Sequence, residues 1–409
     1  MIPAVTDSNP DPRASRHVLM LVRILDSGGI PTHVMDLALA FRERGWTMSL
    51  AVDTVIGQHS HGIAWFEGSG IPVHRVHFFG PSRSPRRALA SLAAFVQLVR
   101  ICRREKPDVL HVHFRSTSVY ARVVELLTGT PFVTTLHLTG IPRVGVFRYT
   151  AFWGSRSIAI SSETYQDLTQ AFSVAKEKVV LIHNGADPER FTPAATAERL
   201  AARATLGLAP SAFTLCSLGR LVSHKRHIDV IDAVALLRDR GHEVQCVIAG
   251  VGELRADLQA HVSALGLDHA VILAGYADPC TVYQASDVHV LASLVEGFPL
   301  VVVEAMLAGV PTIRTPAAGA VDQIREGEAG FLVGFRSPQQ IADRVADLLL
   351  HPQRLAIMAQ AGRRDALSKF TTDHMAAKTL EVYESVMGDV VAAARVASAN
   401  QNDRPSSRS

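Results

Sequence analysis

The stretch Glu296-Gly-Phe-Pro-Leu-Val-Val-Val-Glu304-Ala-Met-Leu-Ala-Gly309-Val-Pro311 combines a loop, a helix start and two carboxylates. Proline suits the first turn of a helix, where its missing N–H would be unpaired anyway, so we predict a helix that begins near Pro299. The backbone N–H groups and positive dipole end of such a helix favour an anion such as a phosphate. Glu296 and Glu304 flank this place and could hold sugar hydroxyls, which predicts a nucleotide-sugar site. Spacing alone leaves a second interpretation open, in which two unrelated glutamates stand in an ordinary strand–loop–helix passage.

Short β-branched runs alternate with longer helical patterns along the whole chain. This alternation predicts an α/β fold with parallel sheets whose two faces are both covered. Ligands in such sheets bind at the carboxyl ends of the strands. The predicted strands lie at residues 17–24, 48–52, 109–113, 132–137, 157–160 and 179–182, and then at 213–218, 244–249, 271–273, 288–291 and 312–313.

A turn signal divides this series in two. His183-Asn-Gly-Ala-Asp-Pro188 contains Asn-Gly and Asp-Pro, which favour a turn. We therefore predict two α/β domains side by side with a cleft between them. The predicted segments are a disordered N-terminus over 1–16, a first domain over 17–190, a second domain over 191–375, a C-terminal helix over 376–396 that could cross back onto the first domain, and a disordered tail over 397–409.

Composition excludes several classes of protein. The 409 residues include 41 Lys and Arg against 38 Asp and Glu, a net charge of +3, which is too balanced to indicate nucleic acid as a main partner. Four scattered cysteines argue against a disulfide scaffold or a zinc site and fit a reducing compartment. We find neither the apolar core of a signal peptide nor a run of 18 apolar residues, so a cytoplasmic location is expected.

Cations follow the strand that opens the second half. The strand ends at Gly219, and Arg220 and Lys225 come before a helix predicted to start near Ile228. Cations beside a helix N-terminus suit a diphosphate and would neutralise charge that grows on it as it departs. Arg220 can grip two oxygens at once, whereas Lys225 acts as a point charge. A solvated basic loop is the alternative that these residues alone leave open.

Taken together, these motifs resemble the retaining family 4 glycosyltransferases of the GT-B fold. In the second half the resemblance rests on Gly219-Arg220 with Lys225, Glu296-Gly-Phe-Pro, Glu304-Ala and Gly309-Val-Pro311. In the first half it rests on Ser27-Gly28-Gly29-Ile-Pro-Thr-His33, Pro107-Asp-Val-Leu-His111-Val-His113, Thr134-Thr-Leu-His137 and Ile182-His-Asn184-Gly185-Ala-Asp187. It covers about residues 17–390 and implies two Rossmann-like, doubly wound domains, the first for the acceptor and the second for the nucleotide-sugar donor.

The resemblance also implies roles for single residues. Arg220 and Lys225 would bind the donor pyrophosphate, Glu296 would hold hydroxyls of the donor sugar, and His137 would border that sugar near the reacting carbon. These four are the implied catalytic residues. The implied donor-binding residues are Gly28, Gly29, Gly250, Tyr276, Phe298, Pro299, Leu300 and Glu304, with Glu304 on the ribose and Tyr276 near the base. The chemistry implied is metal-independent, with the nucleotide sugar as co-substrate and no other cofactor.

The histidines have simpler explanations as well. His111 and His113 stand two apart on one face of a strand, where a metal-binding pair is conceivable. Since no Asp, Glu or Cys cluster near them in the sequence completes a site, we expect no metal there. His137 ends an apolar run, and the residues alone favour a core histidine with a satisfied hydrogen bond.

The expected reaction is transfer of a sugar from a UDP- or GDP-type donor to an acceptor hydroxyl with retention, in the synthesis of a cell-envelope polysaccharide or glycolipid. A retaining glycosidase needs two carboxyl groups about 5–5.5 Å apart. Glu296 and Glu304 should be separated by roughly 8 Å or more at the rise of a helix, so they make a poor acid–nucleophile pair. Another GT-B reaction, such as epimerisation or phosphorolysis, and a non-catalytic sugar-nucleotide-binding protein remain as alternatives.

A basic helix raises the question of membrane contact. Residues 86–106 begin with Arg86 and Arg87, continue with an apolar run, and end with several cations. A basic amphipathic helix can lie on anionic lipid, which predicts possible peripheral contact on the inner face of a membrane. The alternative is an ordinary helix that covers a sheet and has cationic ends.

Overall fold

The computed structural model describes residues 16–25, 28–55, 63–78, 85–141 and 151–402. Most of the predicted disordered N-terminus and residues 403–409 of the predicted tail lie outside these ranges. Within them the chain forms two parallel sheets and fourteen α-helices among the described residues. The helices are α1 Gly29–Glu43, α2 Ile63–Gly68, α3 Pro85–Glu105, α4 Ser118–Thr128, α5 Ser162–Gln166, α6 Thr196–Leu206, α7 His227–Asp239, α8 Arg255–Ala264, α9 Pro279–Ala285, α10 Leu300–Leu307, α11 Ala320–Gln323, α12 Pro338–Leu350, α13 Pro352–Lys369 and α14 Thr372–Asn402.

The first sheet has seven strands in the order β3-β2-β1-β4-β5-β6-β7, and every pairing is parallel. Its strands are β1 His17–Leu25, β2 Thr47–Val55, β3 Val73–Arg75, β4 Val109–Val112, β5 Phe132–Leu136, β6 Arg156–Ala159 and β7 Val179–Leu181. Residues 18–22 of β1 are fully buried, as a strand covered by helices on both faces requires. The chain order reverses direction between β1 and β4, so a crevice opens at their carboxyl ends.

The second sheet repeats this design with six strands in the order β10-β9-β8-β11-β12-β13, again all parallel. Its strands are β8 Phe213–Leu218, β9 Val244–Ala249, β10 Val271–Gly275, β11 Val288–Leu291, β12 Thr312–Arg314 and β13 Gly330–Leu332. Here the direction reverses between β8 and β11. The predicted α/β class with two Rossmann-like sheets is confirmed.

The last helix joins the two halves, as expected from the sequence. Helix α14 packs on α1 of the first sheet, although α13 before it packs on α10 of the second. Tyr383 of α14 is fully buried and packs against the rings of Phe41 and Trp46 at centroid distances of 5.6 and 5.7 Å. Its hydroxyl lies 2.6 Å from Nδ1 of His111 in β4. The first half of α14 is therefore anchored on the first domain.

Two predictions about helix bounds need correction. Helix α14 runs from Thr372 to Asn402, so it begins before residue 376 and continues past residue 396 into the segment predicted as tail. Pro299 caps helix α10 instead of occupying its first turn, and the helix begins at Leu300. No helix within the described ranges is both long and apolar enough to cross a membrane.

Replacing Tyr383 tests how firmly α14 is anchored. Tyr383→Phe should lower the free energy of unfolding of the first domain by about 1–2 kcal/mol, because a buried nitrogen of His111 loses its partner. Tyr383→Ala should cost about 3–5 kcal/mol by leaving a cavity as well. Tryptophan fluorescence during urea unfolding measures this domain alone, since Trp46, Trp65 and Trp153 all lie in it. The exposed Leu126→Ala is the control, and equal effects in all three variants would contradict the anchoring role.

Candidate functional site

Two loops meet at the reversal point of the second sheet. The loop after β8 carries Arg220 and a 3₁₀ turn, Ser223–Lys225, and the loop after β11 carries Glu296. The ammonium nitrogen of Lys225 lies 2.6 Å from Oε1 of Glu296, and both side chains are largely buried. Leu294 N–H also donates to the carbonyl of His224 at 2.8 Å. The structure thus brings together two of the predicted catalytic side chains, Lys225 and Glu296. Arg220, near the start of the loop after β8, is exposed.

The start of α10 lies against the first domain. A Cβ atom on Gly297 would stand 1.9 Å from the carbonyl oxygen of His137, so only glycine fits there. Asn184 Nδ2 donates to the carbonyl of Phe298 at 3.0 Å, which holds the backbone just before the helix. The N–H groups at the start of α10 therefore lie at the interface of the two domains, next to the end of β5.

Glu304 lies in the second turn of α10 and is nearly fully buried. It accepts a hydrogen bond from the hydroxyl of Tyr283 at 3.1 Å. Burial raises the pKa of this carboxyl to about 7, although the Tyr283 hydroxyl and the nearby Arg190 act in the other direction. Burial, together with the carboxylate of Glu304, also raises the pKa of Asp36 in α1 to about 8. Asp36 is a residue of this site that the sequence analysis missed.

Arg314 supports the site from behind. It is fully buried at the end of β12, and burial lowers its pKa to about 10. Its guanidinium donates to Oε1 of Gln323 and to the carbonyls of Thr315, Ala317 and Ala318. Gln323 in turn donates to the carbonyl of Pro299 at 3.0 Å. These hydrogen bonds fix Pro299, the residue that caps α10. No sequence motif indicated this role of Arg314.

The other donor-binding predictions lie at the ends of neighbouring strands. Gly250 follows β9 with φ of 155°, and a Cβ there would stand 1.9 Å from the carbonyl oxygen of Gly219 after β8. Tyr276 follows β10 and is 55% exposed. Gly28 caps α1 and Gly29 begins it, where an added Cβ would meet no described atom within 4 Å. All these positions are at the carboxyl edges of the two sheets.

The first domain contributes a group of buried histidines. His33 of α1, His113 after β4 and His137 after β5 have ring nitrogens within 4.8 Å of one another. Nδ1 of His113 lies 3.1 Å from Nε2 of His137. Burial lowers the pKa of all three imidazoles, that of His33 to about 4, so they are neutral near pH 7. We call His33, His113 and His137 the histidine triad.

His111 does not belong to the triad, although its place beside His113 on one strand face made a metal-binding pair conceivable. Nε2 of His111 lies 2.7 Å from the hydroxyl of Thr135, and its Nδ1 lies 2.6 Å from the hydroxyl of Tyr383, so both nitrogens are engaged. The ring of His113 packs against that of His111 at a centroid distance of 4.1 Å, but its Nδ1 lies next to Nε2 of His137. His33 was missed in this role because it is distant in sequence and lies on a helix.

Two family models together match most of the chain. Residues 198–365 match the model of glycosyl transferases group 1, and residues 27–190 match that of glycosyltransferase family 4. The chain belongs to the group 1 and family 4 glycosyltransferases that these two models describe. It is 27% identical over 391 residues to a D-inositol 3-phosphate glycosyltransferase of Pseudarthrobacter chlorophenolicus, covering 88% of this chain and 91% of that protein. The predicted family is confirmed.

Two further relatives are informative. A UDP-Gal:α-D-GlcNAc-diphosphoundecaprenol α-1,3-galactosyltransferase of Escherichia coli is 28% identical over 272 residues, covering 63% of this chain and 70% of that protein. The crystal structure of Anabaena HepE in complex with UDP and glucose has a TM-score of 0.77 and 22% identity, covering 90% of this chain and 99% of HepE. HepE thus shares the fold of this chain. That fold is the GT-B architecture, in which two Rossmann-like domains face each other.

The raised pKa of Glu304 predicts a pH dependence of stability. The folded protein holds this proton more tightly than the unfolded chain does, so the free energy of unfolding should fall as the pH rises from about 5 through 7. Glu304→Gln removes the ionisation and should gain about 1–3 kcal/mol over the wild type between pH 5 and pH 8. Urea unfolding followed by circular dichroism measures this difference, with the exposed Glu177→Gln as control. Parallel pH curves for wild type and Glu304→Gln would contradict the prediction.

Proposed function

We propose that this glycosyltransferase moves a sugar from a nucleoside-diphosphate sugar, of UDP or GDP type, to an acceptor hydroxyl with retention of the anomeric configuration. The proposed setting is cell-envelope polysaccharide or glycolipid synthesis on the cytoplasmic side. The observation that carries the proposal is the contact between Lys225 and Glu296, 2.6 Å apart, beside the N-terminus of α10. A cation for phosphate, a carboxylate for sugar hydroxyls and a helix start for an anion stand together there.

Each residue then has a distinct role. Arg220 and Lys225 bind the diphosphate, and the N–H groups of Phe298 and Leu300 help to seat it. Glu296 accepts hydrogen bonds from hydroxyls of the donor sugar once the diphosphate has drawn Lys225 away. Glu304, placed one turn further along α10, accepts hydrogen bonds from the ribose hydroxyls.

The remaining predicted residues enclose the donor from the other strand ends. Gly28 and Gly29 lie at the start of α1, where a backbone without Cβ atoms lets the diphosphate approach closely. Gly250 and Tyr276 lie on the side proposed for the nucleoside base. His137 borders the sugar from the first domain, since its carbonyl contacts Gly297.

The proposed chemistry is substitution on the same face of the anomeric carbon. The bond from that carbon to the diphosphate oxygen breaks, the acceptor oxygen bonds to the carbon, and the acceptor proton passes to the leaving diphosphate. An oxocarbenium-like transition state puts negative charge on the diphosphate. Arg220, Lys225 and the start of α10 stabilise this charge, so the proposal needs no metal ion at the diphosphate.

The relatives support the substrate classes. HepE binds UDP, and the galactosyltransferase of Escherichia coli uses UDP-galactose and a diphosphoundecaprenol-linked acceptor. We therefore put UDP sugars first among donors and lipid-linked sugars first among acceptors. Helix α3 suits such an acceptor, because Leu92 and Val96 are 59% and 43% exposed on one face with the cations Arg100 and Arg103.

Release of nucleoside diphosphate from a panel of UDP, GDP and ADP sugars, with and without sugar acceptors, tests the transferase proposal. One donor class should be turned over, and the anomeric configuration of the product, read by NMR, should match that of the donor. Release from no donor under any acceptor condition, or an inverted product, would contradict the proposal.

Variants test the roles within it. Lys225→Ala should lower turnover about 10²–10³-fold, as expected for the loss of a charge that stabilises the leaving group. Glu296→Gln should lose most activity while it retains nucleotide affinity, because its contacts are to the sugar. Lys176→Ala removes an exposed lysine of the first domain and serves as the control. Near-normal turnover in Lys225→Ala would contradict the role of Lys225 in stabilising the leaving diphosphate.

Membrane contact by α3 is tested with vesicles. The protein should co-sediment with vesicles rich in phosphatidylglycerol at low salt and less at high salt, since surface charge attraction is screened. Replacing Arg100 and Arg103 together by Glu should abolish this binding, whereas replacing the exposed Arg336 by Glu should not. Absence of binding to anionic vesicles at low salt would remove the proposed membrane contact.

A further inference from the structure

The histidine triad has the geometry of a metal site. Its three imidazoles come from a helix and from the ends of two adjacent strands, so the sheet and α1 fix their positions. The ring centroids are 5.0, 5.4 and 5.5 Å apart. All three side chains are buried, with exposures of 8% or less. One nitrogen of each side chain lies within 4.8 Å of a nitrogen of each of the other two.

These distances match three imidazoles around one tetrahedral ion. With metal–nitrogen bonds of about 2.0–2.1 Å, the ligand nitrogens stand about 3.3 Å apart and the ring centroids about 5.2 Å apart. The observed separation of Nδ1 of His113 and Nε2 of His137 is 3.1 Å. His33 has to move by about an ångström to complete the set, since the nitrogens span up to 4.8 Å.

Several nitrogens of the triad lack a close partner. Among the described residues, both nitrogens of His33 and Nε2 of His113 are buried without a close hydrogen bond, although Asn184 lies near enough to His33 to raise its pKa as a hydrogen-bond partner. A buried nitrogen without a partner costs about 1–3 kcal/mol. Asn184, which lies near His33, has an equally unpartnered buried Oδ1, and its amide is held by the carbonyl of Phe298.

We propose that His33, His113 and His137 bind one divalent transition-metal ion, with Zn²⁺ as the preferred species. Neutral imidazole is a ligand for zinc, copper and nickel, whereas Mg²⁺ and Ca²⁺ prefer oxygen. Three protein nitrogens leave a fourth position open, and Oδ1 of Asn184 or a water can fill it. His111 is excluded from the set because Thr135 and Tyr383 engage both its nitrogens.

This site is separate from the residues proposed for the diphosphate, all of which belong to the second domain or to the start of α1. It has one consequence for activity, which rests on the proposed function. In the proposed function His137 borders the donor sugar. A metal ion that holds His137 would therefore compete with the contact between His137 and the sugar. Bound zinc should therefore lower transferase turnover, and a chelator should restore it.

The test is metal binding to the untagged full chain after chelator treatment. Titration with Co²⁺ should give the intense visible absorption of a tetrahedral site, saturating at one equivalent, and Zn²⁺ should displace it. His33→Gln and His113→Gln should each weaken binding by more than tenfold. His289→Gln is the matched control, since His289 is a buried histidine of the second domain, outside the triad, with an unpartnered Nε2.

The outcomes separate this proposal from the proposed function. Absence of tetrahedral Co²⁺ absorption in the wild type, or equal binding by wild type and the His33→Gln/His113→Gln double variant, would overturn the metal site. Neither result bears on donor turnover, which is measured without added metal. Circular dichroism of each variant distinguishes the loss of a ligand from the loss of the fold.

Discussion

The close contact between Gly297 and the carbonyl of His137 is the constraint on which the site depends. The approach leaves no room for a Cβ, and it joins the loop before α10 to the end of β5. The bond from Asn184 to the carbonyl of Phe298 holds the same junction. Because α14 returns to the first sheet through Tyr383, this helix also ties the two domains together. The end of β5 and the start of α10 are therefore held next to each other at the junction of the two domains.

Much of this arrangement could be predicted from local patterns. Eleven predicted strands correspond to observed strands within a few residues, because apolar runs bounded by glycine and proline mark buried parallel strands clearly. The strands missed were β3 and β13, each three residues long, and neither Val-His-Arg nor Gly-Phe-Leu forms a recognisable run. The contact between Lys225 and Glu296 could have been predicted, since both residues follow neighbouring strands of one sheet.

Contacts between distant segments could not be predicted in the same way. His33 meets His137 only because α1 crosses the carboxyl edge of the sheet, and the sequence separates the two by about a hundred positions. Arg314 looked like an ordinary strand residue, yet its guanidinium reaches four acceptors and supports Pro299 through Gln323. Asp36 acquires its raised pKa from burial and from a carboxylate on the other domain. Such effects depend on the tertiary packing that the sequence pattern does not encode locally.

The pairing of Lys225 with Glu296 has an energetic meaning under the proposed function. Removing one partner from a largely buried ion pair is costly, so a diphosphate that draws Lys225 away must replace its charge. A bound donor does this only in part, because its negative charge is spread over two phosphates. As the bond to the sugar breaks, charge accumulates on the leaving oxygen, and the attraction to Lys225 grows. The contact is then stronger in the transition state than in the ground state, which is the condition for it to raise the rate.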